Sequence, residues 1–136
     1  MTDAALPELY FRIRENGAQV FRVDAESRNR RIEMDQIAVV NIRNGEIKPH
    51  GEREVSDEER ARIDAWLAAR KETLRARDLD DAERTVERLN LTALWMQQRA
   101  TPEEIEQVAD ALLLAMHDLR GVIVRKKADR LKDAAD

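Results

Sequence analysis

The sequence predicts an α+β chain, an N-terminal four-stranded antiparallel sheet followed by three helices at about 57–77, 81–99 and 102–131. Three observations carry this. Two Asn-Gly dipeptides, Asn16-Gly17 and Asn44-Gly45, stand between short apolar runs and mark hairpins. Ser56–Glu59 and Thr101–Glu104 have the spacing of capping boxes, and each is followed by apolar residues at helical period. The apolar stripe between Ser56 and Thr101 changes phase between Leu74 and Leu79, although the absence of glycine and proline there leaves one continuous helix over 57–99 possible.

Residues 1–7 are expected to be a flexible tail ahead of a single domain, 8–136, with a β-rich part over 8–54 and a helical part over 56–133. The first strand alternates, with Leu9, Phe11 and Ile13 on one face and Tyr10, Arg12 and Arg14 on the other. For the second strand, Gln19 to Val23, the preferred turn has three residues with Gly17 left-handed. That register pairs Phe11 with Phe21 and Leu9 with Val23 and keeps one apolar face. Asp24 to Arg31 is a polar connection, and Arg31 to Met34 can form a short strand. Ile37 to Ile42 is a strong strand, and a two-residue Asn44-Gly45 turn would set Ile42 opposite Ile47. Pro49 ends the ladder.

The first helical stripe runs through Ile63, Trp66, Leu67 and Leu74, and a second begins at Leu79 and includes Val86, Leu89 and Met96. The step from Leu74 to Leu79 breaks the three–four rhythm, and Asp80 with Glu83 supplies a further box, so a turn is expected near 76–80. A single helix over 57–99 would span roughly 65 Å and would itself imply an oligomer. The third helix, Thr101–Leu131, has the densest stripe and is expected to be the element on which the others pack. Its first turns are acidic and its last turns basic, as the helix dipole favours.

Composition narrows the function classes. The charged fraction is 38% against about 25% in an average globular chain. The net charge of −4 does not suit a general nucleic-acid binder. Absence of cysteine removes thiolate chemistry and cysteine-ligated metals. No apolar run approaches a membrane span, the first residues lack a secretory signal, and a cytoplasmic location follows. Arginine outnumbers lysine 19 to 5, which points to a GC-rich, bacterial genome.

His50 and His117 are the only histidines and lie in no metal-binding spacing. The acid pairs Glu58/Glu59, Asp80/Asp81 and Glu103/Glu104 all stand at expected helix starts, where capping accounts for them. No phosphate loop or nucleophile elbow occurs. The expectation is therefore no catalytic residues, no metal and no cofactor.

One constellation invites a binding role. Tyr10, Arg12, Arg14 and Arg22 are expected to share a face of the first hairpin, with Arg28, Arg30 and Arg31 following. Arginines interleaved with an aromatic can contact a protein partner, or stack on bases as a regulatory nucleic-acid module. Residues 8–50 also carry seven acids against eight bases, so cross-strand ion pairs compete for that face. The helices carry more apolar surface than three helices and a small sheet consume, and Leu91, Leu94, Trp95, Leu113 and Leu114 are the expected self-association residues. The leading expectation is a non-enzymatic interaction or adaptor protein that forms a homodimer. An enzyme with a site shared across an oligomer interface, using His50 or His117, is the least favoured alternative.

Overall fold

The computed structural model describes residues 8–24 and 32–135. The expected tail at 1–7, most of the polar connection after Asp24, and Arg28, Arg30 and Arg31 lie outside the described residues. The chain is α+β, in the order β1 (Leu9–Arg14), β2 (Gly17–Asp24), β3 (Glu33–Asn41), β4 (Ile47–Pro49), α1 (Asp57–Gln98), α2 (Pro102–Ala135). It divides into two compact units, Met1–Asp80 and Asp81–Asp136, and α1 contributes to both.

In the first unit the four strands form an antiparallel meander in sequence order. The β1–β2 register differs from expectation. Arg14 pairs with Gly17, Phe11 with Val20 and Leu9 with Arg22, so Glu15-Asn16 makes the turn. Gly17 belongs to the strand and has no positive φ. Its role is close approach: a Cβ there would lie 1.8 Å from the Val40 carbonyl oxygen on β3. Backbone packing, not turn geometry, requires that glycine.

The expected short strand near 31–34 and the strand from Ile37 are one nine-residue strand, β3, interrupted by a bulge. Val20 pairs with Ala38 and Phe21 with Gln36, which leaves Ile37 as the extra residue. The bulge lets the consecutive Ile37 and Ala38 both enter the core. The second hairpin also has a longer turn than expected. Val40 pairs with Ile47, and Asn41 closes a four-residue loop over 42–45 with Gly45 at φ 72°. The Asn41 side chain decides this, because its Oδ1 accepts from the Arg43 and Asn44 backbone N–H groups at 2.8 and 3.4 Å. The Asn44 Oδ1 then accepts from Glu46 N–H at 2.9 Å.

The core is small and aliphatic. Leu9, Ala18, Val20, Ile37, Ala38 and Val40 from the sheet meet Ile63 and Leu67 of α1. Phe11 stacks on Trp66 with ring centroids 4.6 Å apart and planes 1° from parallel. The narrow stripe Ile63, Trp66, Leu67 is thus the sheet-facing side of α1, as its spacing implies.

Among the described residues there are two helices where three are expected. α1 runs 42 residues without a break at 76–80, a length of about 63 Å. The segment holds no glycine or proline, and nothing buried there requires the stripe to stay in phase. Asp80 and Glu83 lie inside the helix and do not start one. The start of α1 does use its box: Glu59 N–H donates to Ser56 Oγ at 3.1 Å and Ser56 N–H to Glu59 Oε1 at 3.0 Å. Thr101 and Glu104 repeat the arrangement at the start of α2 at 3.1 and 2.9 Å.

The larger correction concerns α2. The helix expected to organise the core contains no buried residue. In the second unit α1 and α2 form a hairpin, with Arg99 and Ala100 N–H groups donating to the Trp95 carbonyl at 2.8 and 2.9 Å. Half-buried side chains cluster toward this closed end: Leu89, Thr92, Trp95 and Met96 on α1, and Ile105, Val108, Ala109 and Leu112 on α2.

Candidate interaction surfaces

The β1–β2 register splits the expected arginine cluster. Opposed residues in an antiparallel pair point to one side of the sheet. Tyr10, Arg12 and Arg14 therefore share the open face with Phe21 and Gln19, while Arg22 stands beside Leu9 on the face toward α1. Phe21, assigned by sequence to the apolar side, is nearly buried on the open face. The Arg12 guanidinium lies 4.5 Å from its ring centroid, and the Tyr10 ring lies 6.3 Å away at 46°. Arg14 donates to the Gln19 side chain at 2.8 Å. What this face presents outward is Tyr10, Met34 and Val39, each a little over 40% exposed, with Arg14 and Lys48 also on it.

Arg22 is a structural clamp. Its Nε donates to Glu59 Oε2 at 2.6 Å, and its Nη2 donates to Glu59 Oε1 at 2.9 Å and to the Glu54 carbonyl at 2.6 Å. The two arms of the guanidinium hold the Glu59 carboxyl down at about 2, aided by the Ser56 backbone and hydroxyl against the opposing effect of desolvation. Asp35, opposite Arg22 on β3, takes a two-pronged contact from Arg53 at 2.9–3.1 Å, which also lowers its pKa. Glu8 pairs with Arg62 of α1. One acid, Glu59, thus takes up Arg22, with the Glu54 carbonyl beside it.

The helical unit is different in kind. At 100° per residue, Ile105, Val108, Ala109, Leu112, Ala115, Met116, Leu119, Val122 and Ile123 fall within one broad face of α2. Its first turns are half-covered: Thr92 and Trp95 with Gln107, Val108, Ala111 and Leu112 line a shallow hollow near the hairpin bend. Its later turns are open. Met116 and Leu119 are each 48% exposed, Ile123 47% and Val122 43%. On α1, Val86 is 60% exposed, and the half-buried side chains of the second unit lie toward the closed end of the hairpin.

The side chains expected to mediate self-association lie differently on this surface. Trp95 spends part of its area inside its own hairpin. Leu91, Leu94, Leu113 and Leu114 are exposed. By helical angle Leu113 borders the α2 stripe and Leu114 lies on the far side. Met116, Leu119, Val122 and Ile123, which are not among the residues expected to mediate self-association, are exposed as well.

His50 is exposed after β4, and His117 is exposed on α2. Among the described residues no group of three or more His, Asp or Glu side chains is placed to hold a metal ion. Among the same residues no helix is long and apolar enough to cross a membrane. No protein-family model, curated protein or solved structure matches this chain.

Proposed function

We propose that this chain is a non-catalytic interaction protein of the cytoplasm that self-associates through its helical hairpin. One observation carries the proposal: α2, 34 residues long, buries no side chain although its apolar residues recur with helical spacing from Ile105 to Ile123. Helices gain most of their stability in proteins from packing an apolar face. A stripe left nearly half exposed over its later turns is what an association surface looks like in an isolated chain. Covering each of these side chains contributes about 1 kcal/mol at the usual coefficient for apolar area.

The sheet unit then serves as the displayed part, with Tyr10, Arg12 and Arg14 as the residues proposed for contact with a protein partner. Arg22 drops out of that set because Glu59 occupies it. Light scattering on a sizing column tests the proposal. The expected mass is at least twice that of the 15.7 kDa chain. A monomer at high micromolar concentration overturns it.

A further inference from the structure

The charges along α2 indicate what covers the stripe. From Pro102 to His117 the helix carries Glu103, Glu104, Glu106 and Asp110 and no lysine or arginine. From Asp118 to Ala135 it carries six basic residues against three aspartates. The helix dipole explains acids in the first turn and bases in the last, but its influence fades within one turn of each end. Asp110 and Arg120 lie far beyond that reach, so the division of charge continues into the middle of the helix. The apolar stripe spans this boundary, and its centre lies near Ala115.

We infer that the occupant is a second copy of this chain, with its α2 antiparallel to the first and a two-fold axis near Ala115. The inference rests on the self-association proposed above and adds the partner and its direction. An antiparallel alignment about Ala115 brings Glu104 level with Lys126 of the other copy, and by helical angle both lie on the same flank of the stripe. A parallel alignment sets acid against acid and base against base, which disfavours it. The two halves of α2 carry opposite charge, so an antiparallel pair lays each half along the opposite charge of the other copy. Such an isologous contact closes at two copies and forms no open chain.

The absence of cysteine makes the test direct. Full-length Glu104→Cys, Ala115→Cys and Lys126→Cys variants are each treated with a flexible bis-maleimide long enough to reach across one helix. A co-refolded one-to-one mixture of the Glu104→Cys and Lys126→Cys chains is treated in the same way. The expected result is that Ala115→Cys links to itself, the two end variants stay single alone, and their mixture gives a linked pair. Self-linkage of both end variants would show a parallel pair and overturn the inference, while self-association stands. A dimer by light scattering with no linkage at any position would place the seam away from α2, with the same consequence. A cysteine-free parent that is monomeric at high micromolar concentration would remove both proposals together.

Discussion

Arg22 of β2 holds Glu59 of α1 through both arms of its guanidinium, at 2.6 and 2.9 Å, and the same carboxyl closes the capping box with Ser56. One side chain thereby starts the long helix and fastens it to the sheet. Two-pronged guanidinium–carboxylate contacts fix orientation as well as contribute energy.

This pair makes stability sensitive to acid. The Glu59 carboxyl titrates at about 2 in the folded chain against an ordinary 4.5. A depressed folded pKa means the stabilisation is complete above about pH 4.5 and is lost as pH falls toward 2. Because the Arg22 side chain is 41% exposed, the contribution is about 1–2 kcal/mol after discounting for solvent screening. Glu59→Gln is expected to lower the urea midpoint at pH 7 and to flatten its decline between pH 5 and 3. An unchanged slope in that interval would mean that other carboxylates, such as Asp35, set the acid transition.

Glycines 17 and 121 should respond in opposite directions. At Gly17 an added Cβ meets the Val40 backbone at 1.8 Å, and no side-chain motion relieves that contact. Gly17→Ala is expected to cost about 3 kcal/mol or more, since β2 and β3 must separate. At Gly121 nothing lies within 4 Å of an added Cβ. Gly121→Ala is expected to stabilise α2 by up to about 1 kcal/mol through helix propensity. Thermal unfolding followed by circular dichroism distinguishes the two, and equal shifts would refute the assignment of Gly17 to close strand packing.

The legibility of this chain in its sequence follows physical lines. Features set by neighbours in the chain were readable: the two capping boxes, the alternation of β1, and the Ile63–Leu67 stripe. Features set by contacts across the fold were not. Gly17 answers to Val40 rather than to its own turn, and that reverses the face on which Phe21 and Arg22 lie. The turn after β3 follows the Asn41 side chain, which outweighs the Asn-Gly signal. The phase break between Leu74 and Leu79 resembles a helix end, but an exposed helix tolerates it because no core enforces the phase. For α2, apolar periodicity identified the helix but carried no information about which chain covers it.

The continuity of α1 is open to a local test. Asp78 sits in the interior of the helix, where proline removes a backbone donor and clashes with the preceding turn. Asp78→Pro is expected to cost about 3 kcal/mol of helix stability. Far-ultraviolet circular dichroism should show a loss of helical signal. Were 76–80 a turn, proline there would leave the helical signal unchanged.

The apolar stripe of α2 gives the most selective prediction. Leu119 lies on the stripe beside Met116, Val122 and Ile123, while Leu114, 67% exposed, lies on the opposite side. Both are leucines on the same helix, so helix propensity is altered alike when each becomes glutamate. Leu119→Glu would place a charge in the proposed seam, where unpaired burial is strongly disfavoured. The expected outcome is at least a tenfold weaker association for Leu119→Glu and a near-native value for Leu114→Glu, measured by sedimentation equilibrium. Association binds the folded state alone, so the parent's melting temperature should also rise with protein concentration. That dependence should vanish in Leu119→Glu and persist in Leu114→Glu. If Leu114→Glu is the variant that dissociates, the contact surface lies on the far side of α2, among the exposed leucines.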